Sequence, residues 1–310
     1  TLKAVRLYEY GGPEKLIYED NVPDPVLSDS TVLVEAVSAS VNPIDWKVRS
    51  GARQKDFPLK LPAILGKDVS GIVRAVGTSV RTFQVGDRVM AFTDATYAEL
   101  VLVEGSVLTH VPEGLNLIDA AAIPLVVLTG DQLVKTAARV QPGQTVLVTG
   151  ALGSVGRAAV HSAKKLGAKV IAGVRSRQLA QARALGVVEC LALDDDTAVA
   201  ALPLVDAVAD TVGGVTAAKL LAKVKQGGSF GFASVLPEGA AASHPAVTVT
   251  RVFARPDASK VREFADDIRD HQFVLPISHR LPLREAGQAQ ILMERGGSAG
   301  KILLLTPRSE

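Results

Sequence analysis

The sequence Thr145-Val-Leu-Val-Thr149 is a short apolar run that leads directly into Gly150-Ala-Leu-Gly153-Ser-Val-Gly156. The small-residue stretch Arg157–Leu166 that follows is typical of a helix, and a second apolar run, Lys169–Val174, comes next. A buried strand, a tight glycine turn, a helix and another strand form the opening of a parallel, doubly wound sheet. This stretch therefore predicts an α/β domain in the middle of the chain.

The chain around this stretch continues the same alternation of apolar runs and helical segments after about residue 124. Further strands of the sheet are predicted at Val205–Thr211, Ser229–Ala233 and Val247–Phe253. After Pro256 the pattern predicts two helices, at about Ala258–Gln272 and Leu283–Arg295, and a last strand, Lys301–Leu305.

Residues 1 to about 123 have a different pattern, in which turn residues separate short extended runs rich in valine and glycine. These runs are Leu2–Leu7, Thr31–Ala39, Asp68–Val76, Asp87–Ala91 and Tyr97–Val103. They predict an all-β, barrel-like domain. We therefore expect an α/β protein in which residues 1–123 and 258–310 form the β-barrel domain around an inserted doubly wound domain, residues 124–257.

Composition limits the classes of function. The 310 residues are 47% hydrophobic and 21% charged, which suits two globular domains, and the net charge of +2 comes without a basic block. Nucleic acid is therefore an unexpected partner. The single cysteine, Cys190, leaves no intrachain disulfide, so a reducing compartment, the cytoplasm, is expected. No leader and no apolar run of about 18 residues were identified, so no membrane partner is expected.

The glycine turn has the residue types that a dinucleotide pyrophosphate needs. Gly153 and Gly156 occupy the second and third positions of the G-x-G-x-x-G pattern, and Ala151 takes the first. A side chain at Gly153 would block phosphate from the backbone N–H groups at the helix start, and Gly156 permits close packing of helix and sheet. The predicted contacts of the pyrophosphate are Gly150, Ala151, Gly153, Ser154, Val155 and Gly156. A turn that serves only packing is the alternative.

The end of the second strand predicts which dinucleotide binds. NAD-specific sites place an acidic residue there for the ribose hydroxyl, whereas this chain has Arg175-Ser176-Arg177. Guanidinium groups bind phosphate in a planar, two-pronged geometry, so this segment predicts NADPH through its 2′-phosphate. A solvated basic turn is the alternative.

Several segments resemble the medium-chain dehydrogenase/reductase superfamily. Residues 62–77, PAILGKDVSGIVRAVG, and Gly86-Asp-Arg-Val89 look like its GroES-like catalytic domain. Further similar segments are Asn42-Pro-Ile-Asp-Trp-Lys47, Ala120-Ala-Ala-Ile-Pro-Leu125, Ala254-Arg-Pro-Asp257 and Gly300-Lys-Ile-Leu303. The resemblance covers essentially the whole chain.

The resemblance also separates branches of that superfamily. Zinc-dependent members carry G-H-E where this sequence has Gly66-Lys67-Asp68, and no cysteine occurs in the first 123 residues. Catalytic zinc is therefore not expected. The resemblance implies the quinone oxidoreductase branch and its enone-reducing relatives, which pass a hydride from NADPH to a quinone or to an α,β-unsaturated carbonyl.

In the resembling enzymes the segment 42–47 lies beside the nicotinamide, which implies catalytic roles for Asn42, Asp45 and Lys47. Asn42 is expected to hydrogen-bond the cofactor or the substrate oxygen. Asn42, Pro43 and Asp45 also have the pattern of a helix start, and we favour that role for Asp45. Lys47 is either a group that polarises the substrate carbonyl or an exposed helix lysine.

The resemblance implies further cofactor contacts at Thr129, Thr211, Phe232, Ala233, Ser234 and Lys301. Leu193 replaces a tyrosine that is usual after the third strand of the dinucleotide-binding domain. By the same resemblance we expect a homodimer. The alternatives are an enoyl-thioester reductase of the same fold and a non-catalytic relative that binds NADPH or RNA or serves as a structural protein.

Overall fold

A computed structural model describes residues 1–309 and divides the chain into two compact units. Unit 1 comprises Thr1–Leu125 and the chain from Pro256 on, and unit 2 comprises Val126–Arg255. These divisions lie two residues from the predicted boundaries at 123/124 and 257/258.

The first segment of unit 1 is mostly β-structure. Its elements are β1 (Leu2–Leu7), β2 (Leu16–Val22), β3 (Thr31–Val41), α1 (Pro43–Arg49), β4 (Ala63–Ile64), β5 (Asp68–Val76), β6 (Arg88–Phe92), β7 (Leu100–Glu104) and β8 (Leu108–His110). The chain then passes into unit 2 through α2 (Leu117–Ala120), α3 (Pro124–Gln132) and a π-helical turn (Leu133–Ala137).

Unit 2 alternates strands and helices. Its elements are β9 (Thr145–Thr149), α4 (Ser154–Leu166), β10 (Lys169–Val174), α5 (Leu179–Ala182), β11 (Glu189–Ala192), α6 (Asp196–Ala201), β12 (Val205–Asp210), α7 (Gly214–Leu221), β13 (Val224–Phe232) and β14 (Thr248–Arg251). The return segment adds α8 (Ala258–Arg269), β15 (Ile277–Pro282), α9 (Ala286–Arg295) and β16 (Lys301–Leu305) to unit 1.

The sheet of unit 2 has the order β11-β10-β9-β12-β13-β14, and every neighbouring pair is parallel. Successive residues of β9 point to opposite faces: Val146 and Val148 join one apolar cluster, and Leu147 joins another. Both faces of the strand are therefore buried, which explains its unbroken apolar run. The predicted doubly wound parallel sheet is confirmed.

Unit 1 contains two sheets, β2-β1-β4 and β15-β16-β3-β5-β6-β8, and β7 also pairs with β3. β16 lies antiparallel to β3, with Ile302 opposite Val41. This pairing places the last strand beside the chain that enters α1. The predicted β-rich domain built from two distant segments is thereby confirmed.

Two strands begin three or more residues away from their predicted starts. β13 begins at Val224 rather than Ser229, because pairing with β12 extends it through a polar stretch that has no apolar alternation. β7 begins at Leu100 rather than Tyr97, since Tyr97 makes backbone bonds to Val5 and Leu65 outside the ladder with β3. Tertiary pairing determines where both strands begin, and the local sequence pattern contains no information on such pairing.

The helical stretch Leu117–Ala137 is, by length and composition only, apolar enough to cross a membrane. Asp119, Asp131 and Lys135 interrupt it, in keeping with the expectation that no unbroken apolar run reaches about 18 residues. About two-thirds of its most apolar window is buried inside the protein (67%), and buried core helices pass the same test.

Candidate active site

The start of α1 carries the first group of predicted site residues. Asn42 is extended (φ −126°, ψ 154°) and precedes Pro43 at the first helical position. Asp45 accepts the backbone N–H of Asn42 on Oδ2 at 2.9 Å, and the Tyr97 hydroxyl donates to the same oxygen at 2.9 Å. The Asp45 carboxylate therefore stabilises the helix start, as the sequence pattern favours.

Burial controls the ionisation of Asp45. The residue is 2% exposed, and loss of solvent raises the pKa of its carboxyl group from 3.8 to about 6. The hydrogen bonds from Asn42 and Tyr97 oppose that rise, and the nearby Asp68 charge adds to it. Tyr97, which comes from outside any motif, was not predicted, and its own pKa is raised by burial.

Asn42 lies between two buried charged side chains. Its Oδ1 accepts from Lys301 Nζ at 2.7 Å, and its Nδ2 donates to Asp68 Oδ2 at 2.8 Å. Lys301 also donates to the Val41 carbonyl at 3.3 Å and lies 3.8 Å from Asp68 Oδ2. Burial lowers the pKa of Lys301, while the two aspartates oppose that change. Residues 42, 68 and 301 thus form one buried polar cluster.

Asp68 joins further parts of unit 1 to this cluster. Its Oδ2 also accepts from Ser40 Oγ at 2.6 Å, and its Oδ1 accepts the backbone N–H of Leu125 at 2.8 Å, in the first turn of α3. In the sequence Asp68 belongs to the segment Gly66-Lys67-Asp68 and begins a predicted strand, and no contact with Asn42 was expected of it. These two additional partners, residues 40 and 125, are distant along the chain, so no local sequence pattern predicts the contacts.

The lysines of this region have other surroundings. Lys47 Nζ lies 5.6 Å from the centroid of the Trp46 ring, close enough for a cation–π contact. Lys67 forms an ion pair with Asp94 and lies 5.7 Å from the centroid of the Phe57 ring. Among residues 1–309, no group of three or more His, Cys, Asp or Glu side chains is placed to hold a metal ion.

The glycine turn of unit 2 has the geometry expected of a phosphate cradle. Gly150 has φ +59°, in the left-handed region that favours glycine. A Cβ on Gly156 would lie 1.9 Å from the Gly150 carbonyl oxygen, whereas one on Gly153 would meet only that oxygen, at 3.3 Å. Gly153 occupies the N-cap position of the 13-residue helix α4, and no side chain there accepts a hydrogen bond from the helix, which leaves the turn uncapped. The N–H groups at the start of α4 therefore suit an anion.

A buried carboxylate supports this turn from the next strand. Asp210, at the end of β12, accepts from Thr149 Oγ1 at 2.7 Å and from the backbone N–H of Gly213 at 2.9 Å. Thr211 Oγ1 donates to the Thr149 carbonyl at 2.8 Å and faces Gly150, whose Cβ would lie 2.3 Å from it. Thr211 therefore packs on the glycine turn, as part of the wall that shapes it.

The segment after β10 is exposed at Arg175, Ser176 and Arg177. Asp194, which follows β11, accepts on Oδ1 from both the backbone N–H and the hydroxyl of Ser176, at 2.7 and 2.8 Å. These bonds, with Arg175 nearby, lower the pKa of Asp194. The Asp194 carboxylate thus lies beside the basic segment. The sequence did not predict this contact, because Asp194 follows the neighbouring strand of the sheet.

The other predicted cofactor residues of unit 2 lie on separate elements. Phe232 ends β13, Ala233 donates its N–H to the Asp210 carbonyl at 2.9 Å, and Ser234 lies against Gly213. Thr129 lies in α3. The ends of β9, β12 and β13 therefore meet near the glycine turn, where open parallel sheets bind their ligands.

A β-sheet unit interrupted by a doubly wound unit with an uncapped glycine turn defines a two-domain, dinucleotide-binding dehydrogenase architecture. Two family models match: "Alcohol dehydrogenase GroES-like domain" over residues 28–113 and "Zinc-binding dehydrogenase" over residues 166–304.

Individual relatives agree with those models. Quinone oxidoreductase from Mus musculus is 35% identical over 179 residues, covering 57% of this chain and 54% of that protein. The chloroplastic NADPH-dependent alkenal/one oxidoreductase of Arabidopsis thaliana is 33% identical, covering 60% of this chain and 50% of that protein. These matches extend over about half the length of the curated relatives.

The structure of the quinone oxidoreductase from Coxiella burnetii superposes with a TM-score of 0.87 at 28% identity, over 98% of this chain and 99% of that chain. The chain is therefore similar, in sequence and in fold, to medium-chain dehydrogenases/reductases of the quinone oxidoreductase branch. The family resemblance noted in the sequence is confirmed.

Proposed function

We propose that this protein is an NADPH-dependent reductase that transfers hydride to a quinone or to an α,β-unsaturated carbonyl compound without zinc. The observation that carries the proposal is the uncapped glycine turn between β9 and α4 in a chain of the quinone oxidoreductase branch. Similarity to the alkenal/one oxidoreductase supports the enone alternative among acceptors.

The residues around the glycine turn fit a pyrophosphate. The N–H groups of Ser154, Val155 and Gly156 begin α4, and no side chain of Gly153 restricts the approach to them. The helix dipole favours a negative group at this end. We assign Gly150, Ala151 and these four residues to the pyrophosphate, with Thr211 shaping the turn.

The basic segment after β10 supports the choice of NADPH. Arg175 and Arg177 are exposed cations at the strand end where the adenosine ribose is expected, and guanidinium groups suit a 2′-phosphate. Asp194 opposes this preference through its charge, but its carboxylate oxygen Oδ1 is engaged by Ser176. We therefore expect a preference for NADPH that the arginines produce and that Asp194 reduces.

The surroundings of Lys67 support catalysis without zinc. A lysine stands where zinc-dependent relatives have a histidine, and its ammonium is paired with Asp94. A cation at this position repels a second cation, and the described side chains offer no alternative cluster of three ligands.

The chemistry that remains for the protein is positioning and charge stabilisation. When bound, NADPH supplies the hydride. Asn42 and Lys47 are the polar groups at the start of α1 that we assign to the acceptor, with Asp45 holding the helix start. Quinones and enones accept hydride with charge spread onto a carbonyl oxygen, so orientation and a donor to that oxygen provide most of the catalysis.

The remaining cofactor assignments are Thr129, Phe232, Ala233, Ser234 and Lys301. In unit 1 the Lys301 ammonium is bonded to Asn42 and to Val41, so we assign it an indirect role in the site.

An NADPH-oxidation panel tests the proposal. Quinones, linear enals, cyclic enones, aldehydes and an enoyl thioester are supplied as acceptors, each with NADPH and with NADH, and alcohols are offered with NADP⁺. We expect NADPH oxidation with quinones or conjugated enones and no oxidation of simple alcohols. Activity confined to the thioester would favour the enoyl-thioester reductase, and no activity with any acceptor would favour a non-catalytic relative.

Assembly and location are also proposals. β14 is an edge strand of the unit 2 sheet, and pairing of two such edges would form the expected homodimer. Sedimentation of the purified chain tests this expectation. We propose a cytoplasmic location and no nucleic acid partner, in keeping with the small net charge.

A further inference from the structure

Charge decides the orientation of the Asn42 side-chain amide. The ammonium form of Lys301 can only donate hydrogen bonds, so the amide atom 2.7 Å from its Nζ is the oxygen. The Asp68 carboxylate, when ionised, can only accept, so the atom 2.8 Å from its Oδ2 is the nitrogen. A flipped amide would place N–H groups against the ammonium and the oxygen against the carboxylate. Asn42 is only 2% exposed, and a flip of its buried amide would lose two charge-assisted hydrogen bonds.

The same contacts determine what Asn42 has left to offer. Its oxygen is engaged by Lys301, and one of its two amide N–H groups is engaged by Asp68. Within the described chain, residues 1–309, no residue accepts the second N–H. Asn42 can therefore act on a ligand as a hydrogen-bond donor and is poorly suited to accept.

We infer that Asn42 donates its remaining N–H to the carbonyl oxygen of the acceptor, and that Asp68 and Lys301 are positioning residues that fix the amide in this orientation. The inference rests on the proposed function. As hydride adds to a quinone or enone, the negative charge moves onto that oxygen. A donor held in place before the reaction stabilises the developing charge without reorganising.

Asp68 is suited to this positioning role by its other contacts. Ser40 Oγ and the Leu125 backbone N–H hold the carboxylate at 2.6 and 2.8 Å, so Asp68 is fixed independently of Asn42. Lys301 is fixed by the Val41 carbonyl as well as by Asn42. Because both neighbours are anchored elsewhere, the amide between them has one favourable orientation.

A double variant that exchanges the two side chains, Asn42→Asp with Asp68→Asn, tests the inference. The exchange keeps atom number and net charge, and position 42 can still pair with Lys301 and accept from position 68. Position 42 then offers only acceptors. The matched control is the exchange Asn116→Asp with Asp119→Asn at the exposed start of α2, where the Asn116 side chain accepts from the Asp119 N–H at 3.1 Å.

We expect the exchanged variant to lose about 100-fold in kcat, the effect typical of removing one oxyanion donor. Its NADPH affinity, measured by fluorescence titration, should stay within about threefold, since the lost donor serves the acceptor. The control should keep wild-type kcat. Equal kcat in the exchanged variant and the wild type would overturn the donor role, and so would a loss confined to NADPH affinity.

A second variant covers the case in which the exchanged chain fails to fold. Asp68→Asn with Lys301→Met removes both buried charges together and leaves Asn42 in place without its fixed orientation. We expect a folded protein, by circular dichroism, with kcat lowered about tenfold and little change in NADPH affinity. Unchanged kcat would overturn the positioning role. A wild type inactive with every acceptor would instead overturn the proposed function, and the donor role with it.

Discussion

The buried carboxyl group of Asp45 predicts a specific dependence of stability on pH. Its pKa rises from 3.8 to about 6 on folding, chiefly because burial removes solvent from the charged form. Below the unfolded pKa the group is protonated in both states and has no effect. Between about pH 4 and pH 6 the unfolded state ionises first, so the folded state loses stability as pH rises. Above the folded pKa the loss is complete.

The size of this effect follows from the shift. A change of about two pH units corresponds to about 3 kcal/mol, at 1.36 kcal/mol per unit. Asp45→Asn has no carboxylate to bury and keeps an oxygen that can accept from the Asn42 N–H and the Tyr97 hydroxyl. We therefore expect the free energy of unfolding of the variant, minus that of the wild type, to increase by up to about 3 kcal/mol between pH 4 and pH 7.

Trp46, the single tryptophan, lies in α1 of unit 1 next to Asp45 and reports unfolding of this unit by fluorescence. Urea titrations at pH 4, 5, 6 and 7 give the required differences. Asp20→Asn, which changes an exposed carboxylate of unit 1, is the matched control. A difference between Asp45→Asn and wild type that does not vary with pH, or that falls as pH rises, would refute this reasoning.

Three further predictions concern the cofactor and the metal. Gly156→Ala should lower the free energy of unfolding by about 3 kcal/mol, because the new Cβ would meet backbone at 1.9 Å. Gly153→Ala should have nearly the wild-type free energy of unfolding but should bind NADPH more weakly. Equal stability of the two variants would contradict this prediction. Replacing Arg175 and Arg177 with alanine should raise KM for NADPH about tenfold or more and leave KM for NADH nearly unchanged, since one charged hydrogen bond is worth about 1.5 to 3 kcal/mol. Replacement of the exposed Arg183 with alanine is the control. Equal weakening of the binding of both cofactors would show that Arg175 and Arg177 are ordinary surface charges. Prolonged chelation should leave NADPH oxidation intact, and elemental analysis should find no stoichiometric zinc, because a lysine stands at the expected ligand position. One zinc per chain, with activity lost on its removal, would overturn the zinc-free proposal.

The sequence alone determined the architecture. The run from residue 145 to 174 contains strand, glycine turn, helix and strand in order, and each of these elements has a local signature. A parallel strand buried on both faces needs an unbroken apolar run, and a helix packed close to a strand needs a residue without a Cβ. Both requirements are met by residues adjacent in the chain, so they can be read without tertiary information.

The sequence also identified the start of α1, since Asn42, Pro43 and Asp45 form a local pattern. It did not identify which atoms of Asn42 remain available to a ligand. That property depends on Asp68 and Lys301, which lie 26 and 259 residues away along the chain. The pairing of β16 with β3 and of β5 with β3 brings them together, and such pairings leave no local pattern.

The same limit applies at the ribose end of the predicted cofactor site. Two arginines after β10 were evident in the sequence, but Asp194 reaches Ser176 only because β10 and β11 are parallel neighbours. The sequence by itself therefore determined the fold and the residue types of the site, through patterns confined to neighbouring residues. The tertiary structure alone decided which of those side chains are buried, which of their hydrogen-bonding groups are already engaged and which charges face each other, because these depend on contacts between distant strands.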